Sequence, residues 1–200
     1  LYGDVSLTML CLSDPCPIDF LFGGSRDANI TGNVELTVKG GHYGYVFGGN
    51  NRSGIIGGDV TLNLYGGTIT EAAFGGNKGG GSIQGNITVN VEDQCACPLQ
   101  VNNIFGAGDL AVYTAPTGSG ANDFNPVVNV KHICGTNTIT GNVYGGGNGD
   151  PEDNTQTKGS VTGNPKVIIG DLTEGHDSYR AAISGNVYGG GNAAKVVGPT

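Results

Sequence analysis

An aromatic-Gly-Gly phrase recurs six times along this chain, as LFGGS from Leu21, VFGGN from Val46, AFGGN from Ala73, IFGAGD from Ile104, and VYGGGN from both Val143 and Val187. Successive copies begin 25, 27, 31, 39 and 44 residues apart, so a short unit is lengthened by insertions rather than repeated rigidly. A unit of that size cannot bury an apolar face alone, and stacked copies must share one core. The repeat thus constrains the chain to a solenoid.

A second phrase keeps step with the first. Alternating runs precede the glycine phrases: GDVSLTM from Gly3, GNVELTV from Gly32, GDVTLNL from Gly58 and GNITVNV from Gly85, then NPVVNV from Asn125 and NPKVIIG from Asn164. Period-two alternation predicts strands. The inward positions are Val5, Leu7 and Met9; Val34, Leu36 and Val38; Val60, Leu62 and Leu64; Ile87, Val89 and Val91; Val128 and Val130; Val167 and Ile169. Pro126 and Pro165 take the first inward slot of the last two runs, where a strand tolerates proline. A third strand is predicted at Ile69, Ile139 and Ile183, each four residues before an aliphatic residue of the glycine phrase.

The predicted fold is all-β: a right-handed parallel β-helix of about six coils, three short strands to each. Residues 1–200 form one domain, expected to be a segment of a longer repeat protein because the chain opens within an alternating strand. Glycine supplies 39 of 200 residues, and its pairs and triplets suit corners that need positive φ. Registered apolar runs argue against a disordered linker, and glycine lacks the three-residue period of collagen. Asn50, Asn77, Asn148 and Asn192 close four glycine phrases, with Ser25 and Asp109 in the other two. Either stacked amides form a ladder, or asparagine serves a left-handed turn. The inserts Ala111–Asp123, Gly149–Ser160 and Asp171–Arg180 are expected to leave the stack as loops, where function concentrates.

Charge narrows the partners. Seventeen acidic residues against nine basic give a formal net charge of −8, without a Lys/Arg cluster, which argues against nucleic acid. A weakly charged surface rich in Thr, Asn and Tyr suits neutral sugars or a cation-bridged partner. No apolar run approaches the roughly 18 residues of a membrane helix, so no membrane insertion is expected within this segment.

Five cysteines add a second constraint. Aligning Val91 with Val130 places Cys95 and Cys134 four residues later in neighbouring coils, within disulfide reach. A Cys95–Cys134 bridge is predicted, with Cys97 the alternative partner for Cys134, and Cys11 with Cys16 can close a small loop. Bridges of this kind imply an oxidising, extracytoplasmic setting and leave one odd thiol. Zinc is disfavoured, since Cys95-Ala96-Cys97 has one intervening residue where structural sites use two to four. Asp150, Glu152 and Asp153 gather carboxylates on one insert and suit calcium's oxygen preference, although they complete no calcium motif.

Catalytic signatures are sparse. His42, His132 and His176 sit in no triad or metal-ligand spacing, and no helix follows the glycine phrases to make a phosphate loop. An inverting glycosidase needs two carboxyls about 6.5 to 9.5 Å apart, yet the outward strand positions hold one acid, Glu35, and one base, Lys166. That face does not read as catalytic, and its threonines are too interrupted to order ice.

The Phe/Tyr-Gly-Gly-(Gly)-Asn phrases at 47 to 50, 74 to 77, 144 to 148 and 188 to 192, each behind a Gly-(Asn/Asp)-Val-x-Leu-type strand, resemble the glycine-rich repeats of large, adhesin-like surface proteins of gut bacteria. The FGGN copies also resemble the F-x-x-N element of chlamydial polymorphic outer-membrane proteins, although Gly66-Gly67-Thr68-Ile69 departs from their companion element. The resemblance implies a solenoid at the bacterial cell surface or outside the cell and transfers no catalytic residue. Three function classes follow. The first is a non-catalytic adhesive or ligand-binding module for a cell-surface glycan or protein, with Tyr43, Tyr45, Tyr113 and Tyr179 as contacts. The second is a structural rod that associates end to end, and the third a polysaccharide lyase or glycoside hydrolase.

Overall fold

The computed structural model describes residues 2–11, 17–93, 97–116, 123–131, 138–170 and 182–198. Among them there is no helix, and every pairing between strands is parallel. The first half carries β1 (Val5–Met9), β2 (Pro17–Phe22), β3 (Val34–Phe47), β4 (Ile55–Ile56), β5 (Val60–Phe74), β6 (Ser82–Ile83) and β7 (Ile87–Val91). The second carries β8 (Leu99–Phe105), β9 (Tyr113–Thr114), β10 (Val127–Val130), β11 (Val143–Tyr144), β12 (Val161–Thr162), β13 (Lys166–Ile169), β14 (Val187–Tyr188) and β15 (Val196–Val197).

Parallel partners lie one repeat apart in sequence, which gives the molecule its solenoid-like character. The alternating runs form one column: Leu7 pairs with Leu36, Leu36 with Leu62 and Leu62 with Val89, then Val89 with Val128 and Val128 with Val167. A one-residue slip would turn every apolar side chain outward, so the alternation fixes this register. Leu36, Leu62, Val89 and Val128 are fully buried. Val5, Leu7, Met9 and Val167 are only partly covered and Ile169 is exposed, because β1 and β13 are the outermost strands of the column and have a neighbour on one side.

The glycine phrases form a second column within the same ten-stranded sheet, joined to the first through the long, bent strands β3 and β5. Ile69, Ile139 and Ile183 do stack, by way of Tyr43 and Val101, but they belong to this column and not to a third one. The remaining sheets are elsewhere: β4 with β6, and β9 with β12 and β15. They enclose a second apolar cluster around Ile30, Ile56, Ile83, Tyr113 and Val161. β9 thus falls inside the insert expected to be a loop, because Tyr113 is an apolar anchor with its ring in that cluster.

Glycine has a steric role where the phrases stack. A Cβ at Gly48 would lie 2.5 Å from the carbonyl oxygen of Gly75, so the backbones pass too closely for any side chain. None of Asn50, Asn77, Asn148 and Asn192 has positive φ. Their amides cap and pair along the stack instead: the Ser25 N–H donates to Asn50 Oδ1, and the Asn50 N–H to Asn77 Oδ1, both at 2.7 Å.

Among the described residues a disulfide joins Cys11 to Cys97 across a sequence separation of 86 residues. This corrects the expected Cys11–Cys16 loop and the alternative Cys97–Cys134 pairing; Cys16, Cys95 and Cys134 lie outside the described residues. The cause is local. A Cβ at Gly40 would meet the Cys11 Cα at 2.6 Å, and one at Gly66 would meet the Cys97 carbonyl oxygen at 2.5 Å. Two side-chain-free positions therefore leave a flat track over which residues of separate repeats approach.

Candidate groove site

The glycine phrases build an aromatic column of six rings. Phe22, Phe47, Phe74, Phe105, Tyr144 and Tyr188 stack with centroids 5.1, 4.8, 4.7, 4.6 and 4.9 Å apart. Parallel in-register pairing sets each ring over the last, since identical positions repeat at the inter-strand spacing of about 4.8 Å. Two residues earlier a shorter column begins, with Phe20 on Tyr45 at 5.1 Å. It ends there: the next positions in register are Ala72, Asn103 and Asn142. Loss of the rings opens a groove of about 520 Å³ beside the long column.

The floor of the groove is Phe74, Phe105 and Tyr144, and Tyr45 with Phe20 closes one end. One wall is Ala72, Asn103 and Asn142, with Glu71 beside them. The other is Lys78, Asp109, Asn148 and Asn192, which pair in sequence from one repeat to the next. The extra residue in IFGAGD and VYGGGN produces that wall. It moves the closing polar residue one place along, so Asn148 and Asn192 line up with Lys78 and Asp109 while Asn50 and Asn77 stay buried. Asn148 Nδ2 donates to Asp109 Oδ1, and Asn192 Nδ2 to Asn148 Oδ1, each at 2.9 Å.

Charge in the groove is sparse. The Lys78 ammonium sits 3.8 Å from the centre of the Phe20 ring, a cation–π contact. Burial, then the carboxylates of Glu71 and Asp109, holds the Tyr45 phenol above its ordinary pKa. Burial, reinforced by neighbouring Tyr188, does the same for Tyr144 against a hydrogen bond with Asn142. Both phenols keep their protons at neutral pH and offer O–H groups to a ligand.

Of the singled-out tyrosines among the described residues, only Tyr45 borders this groove. Tyr43 and Tyr113 are each 3% exposed. Their hydroxyls donate inward, to Gly40 O at 2.8 Å and Gly85 O at 2.9 Å, so both serve the core and not a contact surface. Tyr179 lies outside the described residues. Asp150, Glu152 and Asp153 do not converge on a common centre: Asp150 holds Lys158 at 2.8 Å, and Asp153 accepts the N–H groups of Thr155, Thr157 and Lys158. Among the described residues no three His, Cys, Asp or Glu side chains gather to hold a metal ion. On the strand face, Glu35 accepts from Asn63 Nδ2 at 3.0 Å, the start of an amide ladder that runs on through Asn90 and Asn129.

Glu71, Ala72, Lys78, Asn103 and Asn142 carry no motif, and the alternation pattern did not mark them. The one available signal was the change of partner in a single column, aromatic at Phe20 and Tyr45 and then small or amide. Fold and groove together define an all-β, parallel, solenoid-like protein with a polar-walled aromatic trough. Comparison with family models, with curated proteins and with solved structures finds no match to the chain. Among the described residues no helix is long and apolar enough to cross a membrane.

Proposed function

We propose that this chain is a non-catalytic, extracellular or cell-surface binding module, a right-handed parallel β-helix of about six coils that holds its ligand in the groove over Phe74, Phe105 and Tyr144. The single observation that carries this reading is the interruption of the outer aromatic column at Ala72, which opens a trough with donors and acceptors on both walls. The Cys11–Cys97 bridge supports an oxidising, extracytoplasmic setting. The resemblance to adhesin-like surface repeats of gut bacteria is in keeping with both. This reading invokes no cofactor. The test is to incubate the purified chain with immobilised surface glycans and surface proteins. Saturable binding with every glycan left intact is expected; new chain ends would replace this reading with a glycan-cleaving enzyme.

A second reading, a rod that stacks end to end, draws on one observation: Val187, Tyr188, Val196 and Val197 on the outer strands β14 and β15 are 45%, 44%, 40% and 41% exposed. Light scattering over a hundredfold concentration range separates the two, since only the rod lengthens as concentration rises.

A further inference from the structure

Resting on that binding reading, we infer that the groove takes a neutral glycan chain laid along the stacking direction, across the strands. Four observations point to this ligand class.

The first is the direction of the trough. It runs from the level of Tyr45 to that of Asn192, four inter-strand steps or roughly 19 Å, and is lined by side chains at every level. The strands beneath it pair with one another along this same direction. An extended peptide in the trough would therefore meet no free strand edge to pair with.

The second is the chemistry of the walls. Asn103, Asn142, Asn148 and Asn192 are amides, each with two donors and an acceptor oxygen. Ladder bonds use one N–H of Asn148 and one of Asn192, which leaves a second N–H on each side chain. Groups that both donate and accept match sugar hydroxyls, which do the same.

The third is charge. Among the described residues Lys78 is the one cation lining the groove, and Glu71 and Asp109 stand with it. A polyanionic glycan would have to bring its charges against two carboxylates in a protein of formal net charge −8. A neutral chain meets no such cost.

The fourth is the floor. Rings stacked at 4.6 to 4.8 Å cover one another's faces and turn their rims to the groove. Aromatic rims carry the positive end of the ring quadrupole, which favours an oxygen-rich ligand over a purely apolar one. The Tyr144 hydroxyl adds a donor at that floor.

The test is calorimetric titration of the chain with neutral gluco-, manno- and xylo-oligosaccharides of two to six units, with an oligouronate and an unrelated extended peptide as comparators. The blocking variant is Ala72→Phe, which carries the Phe20–Tyr45 column one level further into the trough and adds a stacking partner. The second variant is Asn148→Ala, on a partly exposed wall. The expected result is affinity for at least one neutral series that rises with length, weakens about tenfold in Asn148→Ala and vanishes in Ala72→Phe, with both variants still folded and melting cooperatively. Binding of the oligouronate or the peptide alone, lost in Ala72→Phe, overturns the neutral-glycan assignment and leaves the binding module standing. If no glycan or protein binds in a way that Ala72→Phe abolishes, both readings fall.

Discussion

Asn148 stands over Asp109 and not over Asn77, its side-chain N–H reaching Asp109 Oδ1 at 2.9 Å. Aligned by their phrases, Asn77 and Asn148 are the same residue; in space one is buried and the other borders a groove. One added glycine separates the two roles.

That separation predicts unequal costs. Asn50→Ala removes the acceptor of the Ser25 N–H and should destabilise the protein by about 1–3 kcal/mol. Asn192→Ala, at an exposed position, should stay within about 0.5 kcal/mol of the parent. Urea denaturation of the two variants decides the matter, and equal losses would contradict the split register.

The aromatic column should be strongest in its middle. Phe74→Ala empties a buried site between Phe47 and Phe105 and should cost about 3–5 kcal/mol. Tyr188→Ala, on a residue 44% exposed with one stacking neighbour among the described residues, should cost far less. Thermal melts of both variants test the gradient.

Peptide mapping without reduction should recover Cys11 linked to Cys97. Reduction, or Cys97→Ala, should lower stability by about 2–4 kcal/mol, the usual range for closing a long loop. Gly66→Ala should impair the bridge, since its Cβ would meet the Cys97 and Lys39 carbonyl oxygens at 2.5 Å. A Cys11–Cys16 peptide would refute the pairing.

Acid should disturb the insert at 150–158 only once its strongly held carboxylates protonate. Hydrogen bonds from the Thr155 hydroxyl first, and from the Lys158 backbone, hold the Asp153 carboxyl far below its ordinary pKa. A depressed pKa means that the carboxylate's contribution is complete above the unfolded value of about 3.9 and is lost as pH falls through the folded one. Amide shifts of Thr155, Thr157 and Lys158, followed by NMR, should hold steady down to about pH 4 and move together only below it. Asp153→Asn should bring the same displacement at neutral pH.

Much of the stacking was legible because the strands repeat with period two and in register: Leu36, Leu62 and Val89 could be aligned from the sequence alone. The third set of strands was not, since Ile30 and Ile83 sit singly, and Ile55 with Ile56 as a lone pair, among turn residues and show no alternation. The groove was illegible for a related reason. Its walls come from residues that interrupt a pattern, Ala72 after Tyr45 and Asp109 one place beyond Asn77, and an interruption acquires meaning only once its neighbours in space are known. Tyr43 and Tyr113 misled because a tyrosine in a turn-rich segment can as readily send its hydroxyl to a buried carbonyl as to a ligand.

The bridge across Gly40 and Gly66 also has a mechanical meaning. A pull on the chain from both sides cannot extend the 86-residue span that the disulfide closes. At about 3.4 Å per residue, roughly 290 Å of contour stays locked while the later repeats peel away. A tether under flow would therefore lengthen only outside that span, and strands β2 to β7, which lie between the two cysteines, would keep their shape under load until the sulfur–sulfur bond itself was cut.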